Sequence, residues 1–295
     1  MSDWIYHYCD EPAFLSILQS RSLRLTGYLY TNDHSEGTYL NEYICNAVNV
    51  GNWQIPESIR ERIHRDFYFR ESPFCEPEPE TEQYLRWCFM SCFSENGDDL
   101  SQWRAYADDG CGFSIGFDPI EILPVKLREL VDGFGFRPFQ IDRVEYKIPI
   151  LQKEIVTILQ NWRKKVYTDK SKEAISYILL VDALRRLTLF AKSSYFESER
   201  EWRIIYYDLK RLVFFEEETQ EISELSSMRD LQYRCGTHGI TPFVELPFSI
   251  NAISEIRIGP KCRTDLKTTS EMLRSLRYED AKHKIRIRKS AATYY

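Results

Sequence analysis

Trp87-Cys-Phe-Met-Ser-Cys-Phe93, then Ser94-Glu-Asn-Gly-Asp-Asp99, then Leu100-Ser-Gln-Trp-Arg-Ala-Tyr106 and, past a second turn, Gly112-Phe-Ser-Ile-Gly-Phe117 is the stretch that decides the fold class. Trp87 to Phe93 is an almost unbroken apolar run of strand length, which reads as a buried strand. Asp98 and Asp99 stand where a carboxylate caps a helix, so a short helix is predicted from Leu100. Gly112 to Phe117 sets Phe113, Ile115 and Phe117 against small residues, the alternation of a half-buried strand. Strand, turn, capped helix and strand within 31 residues put the chain in the α+β class.

Working outward, the same grammar recurs. Trp4 to Tyr8 is an aromatic-rich strand. Pro12 suits the first turn of a helix carrying Phe14, Leu15 and Leu18 on one side. Leu23 to Thr26 is extended, and helices are predicted over Ser35–Asn46 and Pro56–Phe69. Strands are expected near Phe134–Ile148, at Trp202–Tyr207, Leu212–Phe215, His238–Leu246 and Ile253–Ile258, and on the edge at Lys284–Arg288. Thr264–Leu276 reads as a helix. Two long helices, about Pro149–Tyr167 and Ser171–Phe190, interrupt the strands; Ile175, Ile178, Leu179, Ala183, Leu187 and Phe190 follow helical spacing in the second. The expected architecture is a central, mostly antiparallel sheet with flanking helices. It forms a single domain over 1–295 with a helical insert near 149–190.

The 295 residues can bury a core without disulfides or metal. Aromatic residues make up 14% of the chain, and the many Tyr and Trp rings suit either core or pocket. Most Phe is expected in the core, with Tyr6, Tyr8, Trp103 and Tyr106 bordering a cleft. A net charge of −6 argues against global attraction to nucleic acid or anionic membrane. That total hides 11 basic against 5 acidic residues between Glu255 and Lys289, and acidic stretches at Glu71–Glu82 and Glu216–Glu224. The Pro- and Glu-rich 71–82 stretch reads as a loop. Met1 to Tyr8 has neither a basic nor an apolar leader region, and there is no C-x-x-C pair among the eight cysteines. Reduced, mostly buried cysteines in a cytoplasmic protein are expected. No apolar run approaches membrane-span length.

Four polar segments adjoin strands. Tyr6-His7-Tyr8 is one. Asn32-Asp33-His34-Ser35-Glu36 is the second; Glu36 follows Asp33 at capping-box spacing. The third is Ser94 to Tyr106, where Ser94, Ser101 and Gln102 stand at a helix start that could hold an anion or ribose. The fourth is Phe196-Glu-Ser-Glu-Arg-Glu-Trp-Arg203. In extended chain its Glu197, Glu199 and Glu201 share one face, an arrangement that must be solvated or used. Arg200 and Arg203 partly compensate. Each segment also has a purely structural reading as a cap, a turn or a solvated strand start. The functional reading of the fourth is a carboxylate pair that steadies a developing cation and deprotonates an acceptor. Gly-rich phosphate loops, G-x-S-x-G and H-E-x-x-H are absent from the sequence. No spacing demands a metal.

These segments resemble the bacterial family called domain of unknown function 2971. The likeness rests on Tyr6-His7-Tyr8, Leu23-Arg24-Leu25-Thr26, Asn32-Asp33, Glu36, Cys92-Phe93-Ser94, Trp103, Tyr106 and Gly112 to Asp118. It extends to Phe196, Glu199, Glu201-Trp202-Arg203 and Ile256 to Pro260. More distantly, His7 followed by Phe14-Leu-Ser-Ile17-Leu18 and Leu23 is similar in order to ADP-ribosyltransferases of the diphtheria-toxin-like and poly-ADP-ribose-polymerase-like group. That resemblance implies NAD as substrate. His7 would hold a ribose hydroxyl, Tyr106 would stack on nicotinamide, and Glu201 would steady the ribosyl cation. Glu199 would activate an acceptor, as in an E-x-E pair. Tyr8, Arg24, Ser94, Gln102 and Trp103 would complete the NAD site, with Asn32, Asp33, Glu36 and Arg203 as a further polar cluster. Tyr8 and Ser22 depart from the glycines usual at their positions in that group.

The expectation is therefore an NAD-dependent ADP-ribosyltransferase-like enzyme, an effector in bacterial phage defence or conflict. It would have NAD and a protein or nucleic-acid acceptor as partners and no membrane. Two alternatives stand beside it. One is a catalytically inactive binding or sensor subunit of a defence complex. The other is a nucleic-acid-acting enzyme using the basic C-terminal stretch.

Overall fold

The computed structural model describes residues 4–30, 38–51, 53, 55–67, 87–123, 138–168, 173–208, 231–236 and 239–294. In chain order the strands are β1 (Ile5–Cys9), β2 (Ser22–Gly27), β3 (Cys88–Ser94), β4 (Phe113–Phe117), β5 (Phe139–Arg143), β6 (Glu201–Tyr207), β7 (Gln232–Gly236), β8 (Gly239–Pro247), β9 (Ile253–Ile258) and β10 (Arg286–Lys289). The α-helices are α1 (Glu11–Ser20), α2 (Asn41–Val50), α3 (Glu57–Phe67), α4 (Leu100–Tyr106), α5 (Ile148–Thr168), α6 (Glu173–Leu189) and α7 (Leu266–Ser275). The chain divides into two compact units. One comprises residues 1–31, 86–142 and 199–295; the other comprises 32–85 and 143–198.

The first unit holds the sheet, in the order β10-β9-β4-β1-β3-β2-β8-β7, with β6 paired to β3 and β5. The ladders that join β1 to β4, β1, β2 and β6 to β3, β2 to β8, β8 to β7 and β4 to β9 are antiparallel, and the β9–β10 edge pair is parallel. This is the mostly antiparallel α+β sheet that the strand–helix–strand stretch predicts. Gly112–Phe117 departs from expectation: all five residues of β4 are buried, not every second one. Its central place between β1 and β9 covers both faces, so small Ser114 and Gly116 are buried beneath other groups.

Strand β3 forks the sheet. Its full length, Cys88 to Ser94, pairs with Tyr207 to Glu201 of β6. A strand has two edges, so β1 and β2 must share the other one. β2 takes the first half, through Thr26–Met90 and Gly27–Phe89; β1 takes only the end, through Tyr6–Ser94. β1 and β2 part between these points, and the connecting helix α1 begins with Asp10 as its cap (Asp10 accepts from the Ala13 N–H at 2.7 Å). One sheet face is apolar. Phe14 of α1 stacks on Phe113 with centroids 3.8 Å apart, and Phe117 meets Phe93 and Phe248 edge-on.

The second unit is helical. Its core is Leu40, Ile44 and Val48 of the α2 region, Ile59, Ile63 and Phe67 of α3, Leu151, Ile155 and Leu159 of α5, and Leu180, Val181 and Leu184 of α6. The buried stripe of α6 runs through Tyr177, Leu180, Val181 and Leu184, while Leu179, Ala183 and Leu187 are only half-buried. The sequence reading is thus one residue out of phase. α6 is apolar on several sides, and the period alone cannot choose the face. Tyr177 donates to Asp66 at 2.7 Å, and Arg185 lies 3.6 Å from the same carboxylate. The α2 helix begins at Asn41, later than the expected Ser35–Asn46, of which 35–37 lie outside the described residues. Leu212–Phe215 and both acidic stretches also lie outside them.

Candidate functional site

The predicted residues sort onto two faces of the sheet. Cross-strand register puts Tyr6, Ser94 and Glu201 side by side on one face, with Gly116 and Glu255 beyond Tyr6. Tyr8, Ser114 and Arg257 follow on the same face. His7 alternates to the other face of β1. At the fork its ring meets the backbone of β3: Nδ1 lies 3.1 Å from the Cys92 carbonyl oxygen.

That contact fixes the chemistry of His7. A carbonyl oxygen only accepts, so Nδ1 carries the hydrogen and donates. Burial against its neighbours, including the Phe93 ring at 5.5 Å, pushes the pKa below its ordinary 6.5; the Cys92 carbonyl opposes this shift and the Arg234 charge adds to it. The imidazole is neutral near pH 7, and Nε2 is an acceptor with no protein partner among the described residues.

Arg24 of β2 extends over the Phe243 ring (5.0 Å) and reaches Ser16 of α1 at 3.4 Å. Arg234 of β7 reaches back to donate to Thr26 Oγ1 of β2 at 3.0 Å. Arg234 was not singled out in the sequence. It lies two strands from Arg24, and only the β2-β8-β7 order brings them together.

The other predicted residues are largely spent inside the protein. The Tyr8 hydroxyl donates to the Asn96 carbonyl (2.7 Å) and accepts from the Asp99 N–H (2.9 Å). Burial raises its pKa far above the usual range, so it stays a neutral phenol. Trp103 is 0% exposed, meets Tyr8 edge-on and donates its indole N–H to Asp98 at 2.8 Å. Ser94 donates to the Glu199 carbonyl at 2.8 Å and accepts from the Asn96 N–H, tying the end of β3 to the start of β6. Gln102 is buried in α4, whose cap is Asp99. Tyr106, at 44% exposed, is at the helix end. Tyr6 is core rather than cleft: its ring presses on Gly97 and Gly116, where an added Cβ would stand 2.3 and 2.9 Å away. Tyr6, Tyr8 and Trp103 are thus corrected from cleft to core, because α4 lies over β1 and fills the space with rings.

The carboxylate row is also rearranged. Glu197 and Glu199 lie in a 3-10 turn, Ser194–Glu199, and Arg200 adopts a left-handed φ of 45°. Alternation therefore starts only at Glu201, and the three do not share one face. Glu201 heads β6 and is 5% exposed; Arg203, two residues on and 0% exposed, grips it through Nε (2.8 Å) and a terminal nitrogen (3.0 Å). A bidentate pair of this kind is structurally rigid. Asn32, Asp33 and Glu36 lie outside the described residues.

The basic C-terminal stretch is substantially compensated. Arg257 pairs with Glu255 and approaches Asp98 (3.5 Å), Arg288 approaches Glu255 (3.7 Å), and Lys261 holds Asp109 (2.6 Å). Arg286 lies over the Trp4 ring. Of the seven described cysteines, Cys9, Cys88 and Cys262 are buried, while Cys92 and Cys235 are exposed, so burial is less general than expected. Cys88 and Cys92 share a face of β3, but only Cys88 lies where that face is covered. No helix of the described residues is long and apolar enough to cross a membrane.

No curated protein and no solved structure matches the chain. The segment 102–204 holds Trp103, Tyr106, Gly112 to Asp118 and Phe196 to Arg203, while His7, Arg24 and Ser94 lie before it. Over residues 102–204, about a third of its length, the chain is similar to the family described as protein of unknown function (DUF2971).

Proposed function

We propose that the protein binds a ribose-bearing dinucleotide of the NAD class at the fork between β1 and β2, as a cytoplasmic binding or sensing module. One observation carries this reading. His7 is neutral, its Nδ1–H is committed to the Cys92 carbonyl, and Nε2 remains as an acceptor where the two strands part. The complementary donor is a hydroxyl, and a ribose supplies two adjacent ones. The choice of NAD rests on the resemblance of the first strand and helix to ADP-ribosyltransferases.

Binding is favoured over catalysis by the state of Glu201. A carboxylate whose oxygens both hold a guanidinium is a poor stabiliser of a developing cation, because its charge is already answered. Transfer of ADP-ribose is the second reading. It is favoured by the register that sets Glu201 beside Ser94 and Tyr6 at one end of the sheet.

Calorimetric titration with NAD tests both. Expected is saturable binding that weakens about tenfold or more in His7→Ala, the loss of one good hydrogen bond in a desolvated site, with labelled NAD left intact. Absence of binding at about 10 mM NAD removes the reading. Hydrolysis or transfer that disappears in Glu201→Gln replaces the sensor with a transferase.

A further inference from the structure

We infer that Arg24, Arg234 and Thr26 form a phosphate-binding site, selective for a phosphate ester or pyrophosphate. The inference rests on the dinucleotide reading for its biological ligand, but its geometry is independent. Arg24 and Thr26 stand two residues apart on one face of β2. Thr26 pairs with Phe243 of β8, and Arg234 of β7 pairs with Thr241 on that same face. The Arg24 guanidinium lies over the Phe243 ring, while Arg234 crosses β8 to donate to Thr26 Oγ1. One guanidinium therefore lies over an aromatic floor, and the second reaches across β8 to the same face.

The donors suit an oxyanion. A guanidinium has five N–H groups, and each of these spends one on a hydroxyl, Ser16 for Arg24 and Thr26 for Arg234. Thr26 Oγ1 accepts from Arg234, so its own hydrogen is free to point at a ligand. The cluster offers many donors from two planar forks, the arrangement that matches phosphate oxygens.

Charge supports the same conclusion. Two carboxylates are placed near the pair: Asp10, already holding the Ala13 N–H, and Glu245, which is buried and in register with Arg24. At Arg234, burial and then repulsion from Arg24 outweigh the attraction of Asp10, and the pKa is lowered from its ordinary value.

Inorganic pyrophosphate is the probe, titrated into the full chain at low salt, with sulfate as the comparison anion. Expected is binding that weakens as sodium chloride is raised. Arg234→Gln and Arg24→Gln should each weaken it about tenfold or more, the loss of charge-assisted hydrogen bonds. Arg234→Lys should fall between, since it keeps the charge and loses the fork. Both arginines are exposed, and an unchanged far-ultraviolet circular dichroism spectrum verifies the fold of each variant. Absence of binding at about 20 mM pyrophosphate, equal affinity for sulfate, or an Arg234→Gln variant that binds as well as the parent overturns the inference. Pyrophosphate binding without NAD binding sustains this site and removes the dinucleotide reading. NAD binding untouched by Arg234→Gln does the reverse.

Discussion

Replacing Glu201 with Gln separates a structural carboxylate from a catalytic one. In the folded protein Arg203 is fully buried and holds both Glu201 oxygens, at 2.8 and 3.0 Å. Gln keeps the shape, removes the charge and turns an acceptor into an NH2 group facing guanidinium N–H groups. Removing one partner of a buried pair costs about 3–5 kcal/mol, because the remaining charge keeps its desolvation penalty. The small residual exposure of Glu201 places the loss near the lower end, about 3 kcal/mol. At roughly 2–4 °C per kcal/mol for a body this size, the melting temperature falls by about 6–12 °C. Arg203→Met should cost a similar amount. The double variant Glu201→Leu with Arg203→Met should recover most of the loss, since an apolar pair of like volume carries no desolvation penalty. Urea unfolding followed by circular dichroism gives the cycle directly, and a coupling of about 2–3 kcal/mol is expected. Single variants that each lose under about 1 kcal/mol, or losses that simply add, would show that the pair is solvated and refute the reasoning. The same Glu201→Gln protein, assayed well below its melting point, should still bind NAD.

Three further outcomes follow from named contacts. His7 is harder to protonate folded than unfolded, so the unfolded chain takes up the proton first as pH falls. Stability is full above the unfolded pKa of 6.5 and declines below it, by at most about 1.4 kcal/mol per pH unit. Urea midpoints measured from pH 7.5 to 5 should show this slope, and His7→Asn should flatten it; an unchanged slope removes His7 as its source. Gly112→Ala would put a Cβ 2.1 Å from the Cys9 carbonyl oxygen, a backbone clash, whereas Gly239→Ala meets no neighbour and suffers only from its φ of 109°. The first should abolish soluble folded protein, and the second should cost roughly 1–3 kcal/mol; comparable thermal melts for the two would contradict the packing described. Trp103→Phe removes the N–H that Asp98 accepts and leaves space in a filled site, so a loss of about 1–3 kcal/mol is expected by chemical unfolding. A neutral result would mean that α4 is not locked onto β1.

How far the sequence reaches depends on the range of the interaction involved. Asp99 caps α4, and Asp10 caps α1, through hydrogen bonds spanning three residues or fewer; such signals are local and readable. Trp202–Tyr207 and Ile253–Ile258 are legible as strands because their apolar runs match strand length. The turn at Glu197–Arg200 was misread because extended chain and 3-10 turn differ only in dihedrals, which a Glu–Arg alternation does not reveal. β7 was missed altogether: Gln232-Tyr-Arg-Cys-Gly carries no clear alternation, and its pairing with β8 comes from a hairpin partner. Tyr8 and Trp103 looked like pocket residues because Tyr and Trp carry polar tips. Only the packing of α4 over β1 shows that those tips are answered inside the protein.

Local chemistry was enough for the class of the fold: caps, apolar runs and alternation act over a few residues and are written into neighbouring positions. The candidate site required chain topology. His7 meets Cys92, and Arg234 meets Thr26, across long stretches of sequence, because β3 gives one edge to both β1 and β2 while β7 folds back across β8. Strand pairing at long sequence separation obeys the whole set of competing registers, so no short segment encodes it. Local alternation along β6 already sets Arg203 on Glu201's face; the packing of the sheet buried that bridge, which recast the candidate catalytic carboxylate as part of the frame.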